Sequence, residues 1–239
     1  MKFDFTIPLG DNCNSANGLK IANKRKFKLP FDWLQIRSSK LSTHETYTNL
    51  ITQFKNNKLN FNNIIKNENP GDFTIQLDFC NLWIPHEPIN STFNDIKLNY
   101  EKYFKRLLKI LELGNNNILI VLYNSIHSIN RKNIINRKNI INRKNIINRK
   151  NIINHYISYF NSNFPSNKYY FLSINLVNYN LYNKEMQWTN IYINKSAKRE
   201  FQNGKLVWTD PLLADIVEYF KTINVSNELI NEDINSNEE

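Results

Sequence analysis

Cysteine is scarce in this chain of 239 residues, which contains only Cys13 and Cys80. Two cysteines are too few for a disulfide framework, and because no C-x-x-C pair occurs, the sequence offers neither a zinc knuckle nor a thioredoxin-type motif. The chain also lacks an apolar run near the ~18 residues of a membrane helix, and it lacks a basic leader before an apolar stretch. We therefore expect a soluble, cytoplasmic protein with reduced thiols and with no signal peptide, membrane contact, cofactor or metal.

Acidic residues are outnumbered, since 21 Asp and Glu stand against 31 Lys and Arg and the formal net charge is +10. A strongly basic chain suggests a nucleic-acid partner. Eight of the excess positive charges, however, lie in residues 130–154, where the hexapeptide NRKNII repeats almost without change and no acid occurs. The rest of the chain is close to neutral, so we do not expect nucleic acid as the partner. Binding of phosphates by the basic repeat is the weaker alternative.

The hexapeptide repeat has no steady hydrophobic face on a helix, because a six-residue period rotates successive units by about 240°. In a strand, Ile134, Ile140, Ile146 and Ile152 would share one face. The high Asn and Lys content is typical of an AT-rich genome, and we interpret the repeat as a slippage expansion that lengthens one helix or protrudes. The predicted organisation is one α/β domain of residues 1–225, interrupted by this insertion at about 130–154, with a disordered acidic tail at 226–239.

Apolar periodicity divides the chain into strands and helices in the order β-α-α-β-α-β-α-β-β-α. This order predicts a three-layer α/β domain, with a mostly parallel sheet and helices on both faces. In such domains, sites gather at the carboxyl ends of the strands. The predicted strands are Phe3–Leu9, Asp72–Phe79, Asn117–Tyr123, Tyr169–Val177 and Trp188–Ile193; the predicted helices, besides the repeat, are Asn14–Asn23, Thr46–Asn56, Asp95–Leu113 and Pro211–Ile223; residues 81–90 are predicted to be a loop.

Cys13 follows the first predicted strand at a short polar turn, in the stretch LGDNC, and precedes apolar residues at helical spacing. One interpretation is a buried structural thiol, because free cysteine is among the most buried residue types. The other is a nucleophilic thiolate, because the positive end of a helix lowers the pKa of a cysteine and its free N–H groups can bind an oxyanion. Cys80, between apolar neighbours, is predicted to be a core thiol.

A cysteine nucleophile needs a base, and His86 is the best of the four histidines because it lies in the rigid stretch WIPHEP. Asp32, in PFDW, is an acid between aromatic residues that must find a partner when it is buried. It either caps a turn or orients the imidazole as the third member of a triad. Glu87 is an alternative for the orienting role. Of the other histidines, His44 is expected at the surface, His155 on a helix and His127 beyond the carboxyl end of the strand Asn117–Tyr123.

The stretches LGDNCNSANGL and LPFDW resemble the opening of a family described as papain-like cysteine peptidases, catalogued as domain of unknown function 1796 and found in bacteria and large DNA viruses. That family has Leu-Gly-x-Asn-Cys, then Ala and Leu at helical spacing, then Pro-Phe-Asp-Trp. The resemblance implies that Cys13 is a nucleophile and that the activity is that of a peptidase. The matching positions are Leu9, Gly10, Asn12, Cys13, Ala16, Leu19 and Pro30 to Trp33, with a looser match at His86, Glu87 and the basic helix Tyr100 to Leu111.

The resemblance also implies an alternative fold, an α+β papain-like domain in which the cysteine-bearing helix packs on an antiparallel sheet. The element order of this chain favours a parallel sheet instead. A parallel sheet would place the thiol where the serine of some α/β esterases lies. An ester or acyl substrate then fits as well as a peptide.

These patterns lead to the hypothesis of a thiol-dependent hydrolase or transferase of the cytoplasm, or of the host cytoplasm if the chain is viral. Cys13 is the nucleophile, His86 the general base and Asp32 the orienting acid, while Asn12 and Asn14 support the oxyanion. The substrate is a peptide or an acyl or ester compound. The alternative is a non-enzymatic interaction or structural protein, in which GDNC forms a tight turn and PFDW an aromatic plug.

Overall fold

The structure, a computed structural model, contains both helices and strands and is a mixed α/β fold. It describes residues 2–10, 14–25, 27–85, 87–124, 138–175, 188–192, 198–202, 205–209 and 217–225. The strands are β1 (Lys2–Phe3), β2 (Phe5–Gly10), β3 (Gln35–Ser39), β4 (Ile64–Lys66), β5 (Phe73–Gln76), β6 (Cys80–Ile84), β7 (Asn117–Asn124), β8 (Lys168–Asn175), β9 (Trp188–Tyr192), β10 (Lys198–Gln202), β11 (Lys205–Thr209) and β12 (Asn224–Val225). The helices are α1 (Asn14–Ile21), α2 (Thr43–Lys55), α3 (Phe93–Glu112) and α4 (Lys138–Asn163), and residues 217–221 are also helical.

Four strands form a parallel sheet in the order β2-β7-β8-β9, and β1 pairs with β12 in the same parallel sense. In β7, Ile118 and Ile120 belong to one hydrophobic core, whereas Leu119 and Val121 belong to another. A strand covered on both faces needs apolar residues at successive positions, which is why NILIVLY does not alternate. The prediction of helices and strands with a parallel sheet is confirmed for these strands.

Two hydrophobic cores lie against the parallel sheet. The larger core contains Phe5, Ile7 and Leu9 of β2, together with apolar residues of α2, α3 and α4. The smaller core contains Leu19 of α1 and Phe220 of the helical segment 217–221, packed with the alternate residues of β7. Since α1 contacts both β2 and β7, the sheet fixes the position of this short helix.

A second sheet is antiparallel, in the order β3-β6-β5-β4. Cys80, Leu82 and Ile84 of β6 are buried in the larger core, while Asn81 and Trp83 alternate with them and are only half-buried. This period of two is expected of a strand that covers a core with one face and meets solvent with the other. The sheets of the protein are thus of both kinds rather than uniformly parallel.

The antiparallel sheet contradicts part of the sequence prediction. The sequence predicts one strand over Asp72–Phe79 and a loop at 81–90, and it predicts neither β3 nor β4. In the structure β5 ends at Gln76, a turn follows, and β6 occupies the start of the predicted loop. These predictions are wrong because strands of three to five residues with one polar face contain too few apolar residues to show a period.

Helices α2 and α3 begin at the capping residues that the sequence contains. The backbone N–H of Ser42 donates to the carboxylate of Glu45 at 3.0 Å, as the predicted capping box requires. The same arrangement starts α3, where the N–H of Thr92 donates to Asp95 at 2.8 Å. Gly114, at φ +70°, follows the end of α3 and adopts the left-handed conformation that glycine favours.

The described part of the hexapeptide repeat is helical. It forms the first half of α4, which continues to Asn163, so the interpretation that the repeat lengthens one helix is confirmed from residue 138 onward. Ile153, Tyr156 and Phe160 bury the second half of α4 in the larger core. The predicted helix Pro211–Ile223 is described only from residue 217 and ends at 221, before β12. Residues 226–239, the predicted tail, lie outside the described residues.

Candidate functional site

The connection between β2 and α1 carries the predicted nucleophile. β2 ends at Gly10, which pairs with Tyr123 near the carboxyl end of β7, and α1 begins at Asn14. Cys13 and Asn12 belong to the short connection and lie outside the described residues, while Asn14 is the first residue of the helix. The predicted change from strand to helix at this position is therefore confirmed, and it occurs at the carboxyl edge of the parallel sheet.

The turn at Asp32 is buried and charged. Asp32 is 1% exposed, and its Oδ2 accepts a hydrogen bond from the N–H of Leu29 at 3.1 Å and another from Nη1 of Arg25. The N–H of Asp32 in turn donates to the carbonyl of Leu29 at 3.2 Å. A buried carboxylate needs such partners because losing water is costly. The two contacts to Leu29 are those of a turn-capping acid, one of the two roles that the sequence leaves open.

Arg25 is the member of this pair that the sequence analysis did not identify. Its guanidinium is only 5% exposed and forms a buried ion pair with Asp32. Arg25 stands in the run KRKFK, where one basic residue does not differ visibly from its neighbours in a Lys-rich chain. The expected burial of Asp32 between aromatic residues could have indicated a cationic partner, because a buried carboxylate needs a cation.

The segment that follows His86 packs against the hairpin loop between β4 and β5. The N–H of Glu87 donates to the carbonyl of Gly71 at 2.9 Å, and Pro85 is buried. A Cβ atom at Gly71 would lie 2.3 Å from the carbonyl oxygen of Glu87, and Gly71 has φ +80°. Only glycine fits there without a shift of the backbone. His86 itself lies outside the described residues.

Two of the sequence motifs meet at Tyr100 of α3. The side chain of Tyr100 is fully buried, and burial raises its pKa well above the usual value, with the negative charges of Glu87 and Asp32 adding to the effect. Burial also raises the pKa of Glu87, while the positive charge of Lys28 opposes the rise. The structure thus brings the PFDW turn close to the segment that follows His86.

Arg106 lies on the buried face of α3. It is 6% exposed, and its guanidinium carbon lies 5.8 Å from the ring centre of Phe27. Its Nη2 has no hydrogen-bond partner in the described structure. The basic helix predicted here therefore turns one of its cations toward the protein interior.

The remaining candidates for chemistry have structural roles where they are described. Cys80 is 4% exposed, and burial raises the pKa of its thiol to about 12, so the prediction of a core thiol is confirmed. The rings of His44 and His155 lie 4.9 Å apart at the contact between α2 and α4. His44 is therefore half-buried rather than on the open surface, whereas the helical position of His155 agrees with the prediction. His127 lies outside the described residues.

The part of the chain that the structure describes contains no group of three metal-ligating side chains. Within the same part, no helix is long and apolar enough to cross a membrane. Comparison of the chain with protein families, curated proteins and solved structures finds no match.

Proposed function

We propose that this protein is a thiol-dependent hydrolase or transferase in which Cys13 is the nucleophile and His86 the general base. One observation carries the proposal: burial raises the pKa of Tyr100, and Glu87 and Asp32, from the two motifs that flank the predicted chemistry, add to that rise. A second supports it, since the connection that carries Cys13 leaves the carboxyl edge of a parallel sheet and enters a helix. Perturbed titratable groups and the carboxyl ends of parallel strands are each typical of active sites.

The proposed reaction proceeds through a thioester. His86 takes the proton of Cys13, Sγ forms a bond to the acyl carbon, and the bond to the leaving amine or alcohol breaks as the imidazolium returns the proton to it. A water molecule, deprotonated by His86, then attacks the thioester and releases the acid and the thiol. In a transferase an acceptor amine or alcohol takes the place of water. Asn12 and Asn14, beside the start of α1, support the oxyanion.

We assign Asp32 the role of the orienting acid. Its pairing with Arg25 balances its charge, and its contacts with Leu29 fix the turn on which it lies. Glu87 follows His86 directly and is the alternative orienting group. Burial raises its pKa and so disfavours the charged form in which an orienting carboxylate acts.

The proposal also includes a three-layer arrangement around the parallel sheet and a cytoplasmic location. The separation of two cores by the side chains of β7 supports the first. The small number of cysteines, too few for a disulfide framework, fits a reducing compartment and supports the second.

A short activated ester tests the proposal. We expect p-nitrophenyl acetate to give a burst of nitrophenolate and an acetyl group on Cys13, detected by mass spectrometry of the digested protein. The matched control is Cys80→Ala, which should keep the burst, whereas Cys13→Ser should lose it. Acetylation of both cysteines at equal rates, or a burst that survives in Cys13→Ser, would refute the assignment.

A second candidate function is a non-enzymatic interaction protein, and the geometry of Asp32 favours it. A carboxylate that caps its own turn and pairs with Arg25 needs no catalytic role to explain its burial. The two candidates differ in the behaviour of Cys13, because an interaction protein would retain its partner when Cys13 is replaced by Ser.

A further inference from the structure

A groove of about 500 Å³ opens on the outer face of the antiparallel sheet. Nothing in the proposed hydrolase chemistry uses this face. Thr74 of β5 and Asn81 and Trp83 of β6 line its floor, because residues two apart in a strand point to the same side. The hairpin loop between β4 and β5 forms one wall. We call it the outer-face groove.

A β-bulge shapes the opposite wall of the outer-face groove. The pairing of β3 with β6 shifts between Ile36 and Ser38, so Arg37 is an extra residue without a partner in β6. Bulges re-aim side chains at such positions. Here the guanidinium carbon of Arg37 lies 4.1 Å from the ring centre of Trp83. The guanidinium therefore lies on the indole, and Arg37 is one of the residues that line the groove.

The stacked pair of Arg37 and Trp83 is prepared for a ligand in two respects. Stacking restricts the side chain of Arg37, so less conformational freedom is lost when its N–H groups bind an acceptor. The Nε1–H group of Trp83 is buried and has no acceptor in the described structure. A buried donor without an acceptor is unfavourable, and an acceptor atom on a ligand would relieve that cost.

The charges around the outer-face groove are balanced. Arg37 and Lys66 are cationic, and Glu68 and Asp72 are anionic. The two carboxylates would repel a polyanion such as a nucleic acid, and the two cations would repel a polycation. A single aromatic ring among the described lining residues offers little area to an apolar peptide. The balance favours a ligand without net charge.

The polar groups of the outer-face groove fit a ligand rich in hydroxyl groups. The lining includes the amides of Asn67, Asn69 and Asn81 and the hydroxyl of Thr74. Amides and hydroxyls both donate and accept hydrogen bonds, as sugar hydroxyls do. We propose that the outer-face groove binds a neutral oligosaccharide, whose hydroxyls meet these groups and the N–H groups of Arg37. The proposal is independent of the thiol chemistry at Cys13.

Titration calorimetry of the full chain tests this proposal with four neutral probes: maltohexaose, cellohexaose, chitohexaose and mannohexaose. We expect saturable binding of at least one of them, with an affinity that does not change between about 50 and 200 mM salt. Asn81→Ala and Arg37→Ala should each weaken that binding by about tenfold, which corresponds to ~1.4 kcal/mol. Neither residue belongs to the core, so we expect both variants to fold. Their melting temperatures check this expectation.

Gln76→Ala is the matched control, because Gln76 pairs with Asn81 across β5 and β6 and also carries an amide, but does not line the groove. It should leave the affinity unchanged. The proposal is overturned if none of the four oligosaccharides binds, or if Gln76→Ala weakens binding as much as Asn81→Ala. Salt-sensitive binding of heparin in place of the neutral probes would overturn it as well, since that result would identify a polyanion site.

Discussion

The parallel and antiparallel sheets both pack against helices but differ in how their faces are covered. β7 of the parallel sheet is buried on both sides, whereas β6 of the antiparallel sheet buries one side and turns Asn81 and Trp83 toward solvent. Helices α2 and α3 contact β3 and β4 of the antiparallel sheet, whereas α4 contacts β8 of the parallel sheet. We infer that the parallel sheet contributes mainly to the stability of the fold, whereas the outer face of the antiparallel sheet is free to bind a ligand.

The buried pair of Arg25 and Asp32 lies in the connection between the two sheets, and its loss should have the largest effect. We expect Arg25→Met to lower the free energy of unfolding by about 3–5 kcal/mol, because the carboxylate of Asp32 would stay buried without its cation. Urea denaturation measures the change. The double variant Arg25→Met, Asp32→Leu should recover much of the loss. A single variant that loses under about 1 kcal/mol would show that the pair is not buried in solution.

A cavity in the parallel sheet should cost more than a change on the open face of the antiparallel sheet. Ile120 is fully buried in β7, and Ile120→Ala should lower the free energy of unfolding by about 2–5 kcal/mol. Gln76→Ala, on the outer face of β5, should change it by less than about 1 kcal/mol. Equal losses in the two variants, measured by urea denaturation, would contradict the difference between the sheets.

The contact between the β4–β5 hairpin and the segment after His86 should depend on glycine. Gly71→Ala forces an L residue into φ +80° and brings its Cβ onto the carbonyl of Glu87, so we expect a loss of about 1–3 kcal/mol. Gly114→Ala is the control, because it shares the positive φ but its Cβ would lie 3.1 Å from the side chain of Ser166 rather than against backbone. A smaller loss for Gly71→Ala than for Gly114→Ala would show that the hairpin packs elsewhere.

The histidine pair between α2 and α4 should make stability depend weakly on pH. Burial and the positive charge of His155 lower the pKa of His44, while Glu45 opposes this; Ser42, Thr48 and Tyr156 are the other polar groups around the pair. A lowered pKa in the folded state means that the stabilisation is complete above the unfolded value of ~6.5 and is lost as the pH falls below it.

The expected loss for this pair is under about 1 kcal/mol, because solvent screens half-exposed groups. Thermal unfolding of the wild type and of His44→Gln between about pH 7.5 and 5 should diverge, with the wild type losing more. Parallel curves would show that the two rings do not interact in solution.

The difference between the sheets also explains how much the sequence could predict. The apolar run of β7, the capping box at Ser42 and the stripe of α3 are local signals, and each predicted its element. β3 and β6 are held by pairing between residues more than forty positions apart, as between Gln35 and Trp83. No local pattern contains that register, so these strands could not be predicted.

The candidate site was predictable only in part for a similar reason. The sequence identified Asp32 and Glu87, and the structure places both near Tyr100. It did not identify Arg25 as the partner of Asp32, nor Tyr100 as the residue at which the two motifs meet. Both roles arise from burial by elements distant in the chain, and they follow from packing rather than from any motif.

The most direct test of the central claim is the pH dependence of iodoacetamide labelling at Cys13, followed by mass spectrometry in the wild type, Cys80→Ala and His86→Ala. Cys80 should label slowly throughout, because burial raises its pKa to about 12. We predict that the labelling rate of Cys13 reaches its plateau well below pH ~8.5, the free-thiol value, and that His86→Ala moves the midpoint upward because an imidazolium stabilises the thiolate. An ordinary thiol titration at Cys13 that does not change in His86→Ala would contradict the account.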